Sequence, residues 1–418
     1  METNIVELAA TRESWLAFLN EKKERQHLSH KEAEQIRDFI DRQGYLPLCE
    51  ACMERTFPSD LPVKQTINKE GSRKKRVVYT FSGDEGIFLK FVAHSLNRYE
   101  DVFSDNCYAF RRRIGVKEAM ERLRTDPRTK QSWCLKTDIS NYFNSIDVAK
   151  LLPMLTFLQE KNPEVHDLLA RLLTEERVLA GGKPIREPHG AMAGTPISPF
   201  LANLYLGDAD RFFAKKGVLY LRYSDDILLF ADSREELDHR QEQLYGMLTA
   251  LGLSVNPDKV SVSAPGESFE FLGFAYRQGE LDLSANTIRK TKAKIRRKSD
   301  ALRRWQRRKE LSPDKAAVGL IHTMNRKFYG CINPLEDEQE AEDIFTWSRW
   351  FFPLLTTDRG LREIDAYMQE YVRYAATGRH YKGNYRISYE QMKRWGYVSL
   401  VHEFYQYKEH RKQNGAFN

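Results

Sequence analysis

Cysteine is scarce in this chain, with five in 418 residues, and Cys49 and Cys52 form its one CxxC pair. So few cysteines build no disulfide framework. A lone CxxC with no second CxxC or HxxxH nearby also lacks the four ligands of a structural zinc site. The pair reads as two small residues on a helix, and Cys107, Cys134 and Cys331 read as core filler. No run of eighteen apolar residues occurs, which argues against a membrane-spanning helix. The opening METNIVELAATRESW has no basic segment followed by an apolar one, so no secretory signal is read and a reducing cytoplasm is the expected location. The sequence has no GxGxxG, GxxxxGK, HExxH or GxSxG, which leaves dinucleotide, P-loop, zinc-protease and serine-hydrolase readings without a motif. Internal repeats and low-complexity segments are missing too.

Apolar material is ample, at 41% hydrophobic and 12% aromatic residues, so a sizeable core is expected. The net charge is +7, and its placement matters more than its size. Twelve of the 22 residues from 288 to 309 are Lys or Arg against one Asp, so this stretch alone exceeds the net charge of the whole chain. Ile288, Ile295 and Leu302 recur at seven-residue spacing, with Trp305 near the same stripe. That spacing predicts a helix with a narrow apolar seam and a broad basic face. Such a face tracks nucleic-acid phosphates by displacing counterions, although a solvated surface helix is the bland alternative.

Residues 1 to 65 have helical spacing, with Ser29 as an expected N-cap and PSDLP (58–62) as a turn or linker. From about 76 to 282 short apolar strands mix with helices, and from about 284 onward the chain is mainly helical. The expected fold class is α+β. Two adjacent acids, Asp225 and Asp226, lie between two apolar strand-like runs in VLYLRYSDDILLFA (218–231), which predicts a hairpin with carboxylates at its turn. Neighbouring carboxylates repel each other and resist desolvation, and a divalent metal removes both costs. Upstream, residues 133 to 139 alternate like a strand, with Asp138 at its end. If these acids converge, they can bridge metal ions for phosphoryl transfer. Between them Gly194, Pro196 and Pro199 make a tight loop before a helix opening at Ser198.

The order of these motifs resembles the palm of a reverse transcriptase, and in particular the bacterial group II intron-like enzymes. Asp138 with Phe143 resembles motif A, Gly194 to Asn203 motif B, and Tyr223-Ser224-Asp225-Asp226 the tyrosine-x-Asp-Asp of motif C. Lys259 resembles the motif D lysine, and Phe271-Leu272-Gly273 the primer grip. Arg73 to Tyr79 is similar to a basic fingers strand, and FSDNCYAFRR (103–112) to the FS…YGFRPG block of those enzymes. The resemblance implies a right-hand polymerase with fingers and palm over 66–282, a helical thumb and C-terminal region over 283–418, and an N-terminal helical extension over 1–65. It implies an RNA template, dNTPs, a cDNA product and two Mg²⁺ ions, with Mn²⁺ as a substitute. Asp138, Asp225, Asp226 and Lys259 become the catalytic candidates, and Asp138, Ile139, Asp225 and Asp226 the metal ligands. Nucleotide binding falls to Lys75, Arg76, Tyr142, Phe143, Gly194, Thr195, Pro196 and Tyr223. Template and primer binding falls to Arg111, Arg112, Phe271, Leu272, Gly273, Arg296, Arg297, Arg303 and Arg304. Phe143 is the expected steric gate against a 2′-hydroxyl.

Two departures stand out. Met192-Ala193 precede Gly194 where the family usually has Pro-Gln, which alters template contact there, and Arg112-Arg113 replace a Pro-Gly pair. No maturase, endonuclease or RNase H signature is present. Together with the run KRWGYVSLVHEFYQYKE (393–409), this places the chain nearest the solitary defence-associated reverse transcriptases, class 2, which copy a dedicated structured RNA. The alternatives at this stage are a mobile or diversity-generating retroelement enzyme, an RNA-directed RNA polymerase, a template-independent transferase, and an RNA-binding protein on a polymerase scaffold.

Overall fold

Among the described residues, short apolar runs separated by turns become eleven strands, and the amphipathic stretches around them become helices. The computed structural model describes residues 4–25, 28–68, 75–330, 346–380, 384 and 386–413. Arg73, Lys74 and Cys331 lie outside the described residues. The chain divides into two compact units, 1–267 and 268–418, and its class is α+β.

The first unit begins with helices Ile5–Ala9, Arg12–Arg25, His30–Asp41 and Tyr45–Met53. Ser29 caps the third through a reciprocal capping box with Glu32, satisfying donors that a helix start leaves open. Trp15 is fully buried and stacks on Phe91 of helix Gly83–Leu96 at 4.4 Å between ring centres. Cys49 and Cys52 are buried on the fourth helix, and burial pushes both thiols up to about 12.

The strands of this unit are β1 (Val63–Asn68), β2 (Lys75–Thr80), β3 (Trp133–Asp138), β4 (Arg177–Ala180), β5 (Lys183–Arg186), β6 (Tyr220–Tyr223), β7 (Asp226–Ala231) and β8 (Ser261–Ser263). They form two four-stranded sheets, ordered β2-β1-β4-β5 and β6-β7-β3-β8. In the second sheet β3 and β6 both run antiparallel to β7. Ile227, Leu228 and Leu229 are consecutive and all fully buried, so both faces of β7 are covered.

The second unit opens with a three-stranded meander, β9 (Phe269–Phe271), β10 (Phe274–Arg277) and β11 (Glu280–Leu283). Helices Ala285–Arg308, Asp314–Tyr329 and Arg359–Thr377 then pack on one another, and Leu400–Gln413 packs on the third of them. The long basic helix buries Thr291, Ile295 and Ser299. Trp305 is 37% exposed, so it lies off the buried seam where the spacing had placed it. Among the described residues no helix is long and apolar enough to cross a membrane.

Candidate active site

The register of β3 against β7 sets Asp138 directly opposite Asp226, and that of β6 against β7 sets Tyr223 opposite Asp226. The hairpin therefore turns on two residues, Ser224 and Asp225. Ser224 has φ +61°, the positive value that such turns require and that glycine adopts most easily. A serine held there stores local strain of the kind found at functional sites. The turn is tied to the neighbouring strand by the Ile139 amide, which donates to the Asp225 carbonyl at 3.1 Å.

Beneath the turn lies a fully buried ion pair. Arg222 donates to Asp210 through Nε at 2.8 Å and through Nη2 at 2.5 Å. Tyr220 adds its hydroxyl to the same carboxylate at 3.0 Å. Arg222 Nη1 also donates to the Ser224 carbonyl at 3.2 Å, so one guanidinium joins the helix Gly207–Lys215 to the acidic turn. Sequence reasoning missed this pair. Its signal was an arginine inside an otherwise apolar strand, VLYLRY.

Burial raises the Asp225 carboxyl above its ordinary range, and the nearby Asp138 charge adds to the effect. Burial raises Asp226 to about 6, with Asp138 and Asp225 adding and the Lys136 ammonium opposing. Asp226 Oδ1 is buried and accepts no hydrogen bond, while Oδ2 stands 3.7 Å from Lys136. Asp138 is bonded to the Lys259 ammonium. Among the described residues no three metal-ligating side chains form a ready-made cluster. The donor chemistry nonetheless fits a hard divalent cation. Three carboxylates gather at one sheet end, two resist ionisation, one oxygen lacks a donor, and two lysines supply the local positive charge.

An open cleft of about 770 Å³ lies over this end of the sheet. Asp138, Ile139, Asp225 and Lys259 line it on one side, Lys75, Arg76 and Val78 of β2 on another, and Phe143 and Gly194 between. The Arg76 charge is close enough to lower the Asp225 carboxyl, against the larger effect of burial. Gly194 has φ +103°, and a Cβ there would meet the Tyr79 carbonyl and Val78 Cβ, each at 3.0 Å. Glycine is needed at this point both for the turn and for the close approach of the loop to β2. Asn144 fastens the same junction, donating to the Val77 carbonyl at 3.2 Å and accepting from the Ala193 amide at 2.9 Å.

The remaining candidates take varied positions. Tyr142 is buried at the cleft floor with its hydroxyl on the Ala202 carbonyl at 2.5 Å, and Thr195 is buried with its hydroxyl 2.6 Å from that of Ser198. Pro196 lines a second cavity rather than the cleft. The Tyr223 ring stands 6.4 Å from that of Phe110, which is 6.3 Å from Phe143. Arg111 spends one nitrogen on the carbonyls of Ser104 and Cys107, and Arg112 lies beside Glu21 and His94.

Phe271, Leu272 and Gly273 belong to the second unit. Leu272 and Gly273 form the two-residue turn between β9 and β10, both with positive φ. The Gly273 carbonyl accepts from the Ser284 amide and the Thr287 hydroxyl, each at 2.9 Å, which ties this turn to the start of the basic helix. On that helix Arg296, Arg297 and Arg304 are exposed, whereas Arg303 lies over the Tyr374 ring at 4.5 Å.

Residues 67–276 match the family described as reverse transcriptase (RNA-dependent DNA polymerase). Over 236 residues the chain is 24% identical to the retron Ec86 reverse transcriptase of Escherichia coli, covering 55% of this chain and 68% of that one. Over 196 residues it is 25% identical to the group II intron-encoded protein LtrA of Lactococcus lactis subsp. cremoris, covering 44% of this chain and 32% of that one. Among solved structures it is similar to apo telomerase from Candida tropicalis truncated from its C-terminal domain, with a TM-score of 0.41 and 12% identity over 53% of this chain and 55% of that one.

Proposed function

Because this chain belongs to the reverse transcriptase family, the RNA-directed DNA polymerases, we propose that the cleft over Asp138, Asp225 and Asp226 is the nucleotidyl-transfer site and that its template is a dedicated structured non-coding RNA. The observation that carries this reading is the β6–β7 turn, which brings two burial-strained carboxylates beside Asp138, with Asp138 and Asp225 lining a cleft that Arg76 and Phe143 also line.

In this reading Asp138, the main chain at Ile139, Asp225 and Asp226 hold divalent cations, Mg²⁺ by preference. When bound, such ions supply Lewis-acid activation of the primer 3′-hydroxyl and charge neutralisation on the leaving pyrophosphate. Lys75 and Arg76 hold the triphosphate, where a planar guanidinium suits paired phosphate oxygens. Gly194 lets the loop backbone approach the nucleotide. Phe143 lies under its sugar and excludes a 2′-hydroxyl by size. Lys259 keeps a proton on Nζ that can pass to pyrophosphate as it leaves. Exposed Arg296, Arg297 and Arg304 contact nucleic-acid phosphates.

The biological role we propose is antiviral defence, supported by the likeness of the sequence to solitary defence-associated enzymes. The deciding experiment sequences nucleic acid co-purified with the protein expressed from its native flanking DNA, as wild type and as Asp225→Ala/Asp226→Ala. One RNA in both samples, with complementary DNA only in the wild type, is the expected result. Complementary DNA in the double variant would remove these aspartates from catalysis, and a mixed RNA population would remove the dedicated template. Phe143→Ala is expected to raise ribonucleotide incorporation by about ten- to hundredfold in primer extension, in the range that a single lost steric contact allows.

A further inference from the structure

Phe110 is the exposed end of a buried run. Cys107, Tyr108 and Ala109 are buried, whereas the Phe110 ring is 43% exposed and lines the active cleft. Its backbone has φ +57°, a region that bulky side chains rarely adopt because Cβ crowds the following carbonyl. The chain is pinned on both sides of it. The Tyr108 amide donates to the Arg222 carbonyl at 2.9 Å, and the Asn203 side-chain amide donates to the Ala109 carbonyl at 2.7 Å. Beyond Phe110, the Arg112 amide donates to the Glu100 carboxylate at 2.6 Å. Asn203 also accepts from Arg222 Nη1 at 3.3 Å, so the guanidinium that ties down the acidic turn carries this loop as well. A strained residue held from both sides, with an apolar ring in an open cleft, is a placement that stability alone does not favour.

The neighbours of the ring indicate its purpose. Phe110 meets Phe143 edge-on, with ring centres 6.3 Å apart and planes at 69°. Tyr223 lies on another side, at 6.4 Å and 42°. The main chain of Phe143 is fixed by the Ala191 amide, which donates to its carbonyl at 2.8 Å. The Phe143 ring is only half-buried and packs on Tyr142 at 5.6 Å between ring centres. Tyr142 is buried, with its hydroxyl spent on the Ala202 carbonyl, so it forms a fixed surface behind Phe143. Phe110 adds a contact from the cleft side. A side chain that excludes a substituent by size works only while its rotamer is held, because rotation about χ1 opens the space it fills. An edge-to-face ring contact opposes that rotation.

We propose that Phe110 is a positioning residue for sugar selection: it braces the Phe143 ring and so sets how strictly the polymerase rejects ribonucleotides. The proposal rests on the reading of Phe143 as the ring that excludes a 2′-hydroxyl. Phe110 acts through that ring and not on the nucleotide itself.

The test compares kcat/KM for dNTP and NTP in primer extension by the full chain. Phe110→Ala is expected to lower the dNTP preference by about two- to tenfold, the range that one ring pair of this kind contributes. Phe110→Tyr keeps the ring and is expected to keep the preference. Phe110→Gly removes the ring and relieves the backbone, and is expected to match Phe110→Ala. In a Phe143→Ala background, Phe110→Ala is expected to lower the preference no further, because the ring it braces is gone. An unchanged preference in Phe110→Ala overturns the proposal. So does an equal loss for both nucleotides, which marks a purely structural residue. A wild-type preference in Phe110→Gly also overturns it, since the backbone and not the ring is then responsible. A full additional loss in the Phe143→Ala background overturns it too, because Phe110 then meets the nucleotide directly. Failure of the underlying reading shows separately, as no incorporation by wild type or as an unchanged preference in Phe143→Ala alone.

Discussion

The chain concentrates charge in two places, the acidic end of the β6–β7 hairpin and the basic helix Ala285–Arg308, and each follows different physics. At the hairpin a few charges are buried, so every one is individually consequential. Arg222 and Asp210 are 0% and 1% exposed, and the pair survives because five further polar contacts surround the guanidinium and its partner. On the helix many charges face solvent, where water and salt weaken each one and only their sum matters. Burial turns charge into position, and exposure turns it into affinity.

The largest effect should come from breaking the buried pair. Asp210→Ala leaves Arg222 in the core without a counter-charge and is expected to cost about 3–5 kcal/mol in urea unfolding. Replacing both members with apolar residues of similar volume should recover most of that loss. A single-variant cost below 1 kcal/mol would mean that this network does not hold the turn.

A smaller effect is expected from pH. Asp226 is raised to about 6 in the folded chain, against an unfolded value of about 4. Between those values the folded state keeps a proton that the unfolded state releases. The contribution of Asp226 to the stability of chelator-treated protein should therefore be greatest below that interval, fall as pH rises through it, and level off above. The total is on the order of 2–3 kcal/mol, and Asp226→Asn should flatten the curve. Adding Mg²⁺ or Mn²⁺ at neutral pH should raise the melting temperature of wild type and not of Asp225→Ala/Asp226→Ala.

The helix should show the smallest effect per residue. Each single reversal at Arg296, Arg297 or Arg304 is expected to shift the salt slope of RNA binding by about 0.7, with stability changing by less than about 0.5 kcal/mol. Arg303 sharpens the contrast, because its guanidinium rests on Tyr374 and its loss should also cost about 0.5–1 kcal/mol of stability. If reversing all four leaves the salt slope unchanged, the helix is only a solvated surface.

Much of the site was legible in the residues. Asp225-Asp226 between two apolar runs specified the hairpin, and the alternation through 133–139 put Asp138 at a strand end. The density of Lys and Arg over 288–309 specified the helix, although Trp305 turned out exposed because the seam closes on Thr291, Ile295 and Ser299 instead. Adjacency to a motif was a poorer guide. Tyr142 and Thr195 line the cleft yet spend their hydroxyls within the protein, on the Ala202 carbonyl and on Ser198, and Pro196 lines the other cavity. Arg111 spends Nη1 within the protein, on the carbonyls of Ser104 and Cys107 in its own loop.

By itself, then, the sequence determined where strands and helices form, which stretch is basic, and the order of the motifs that mark a reverse transcriptase, because those depend on local periodicity, turn chemistry and composition. Only the tertiary structure decided that Asp138 lies opposite Asp226, that Lys259 returns to Asp138 from 121 positions away, and that Arg222 pairs with Asp210 under the turn. Those contacts depend on strand register and on how helices pack against sheets, and both are set by the whole buried core rather than by any local segment.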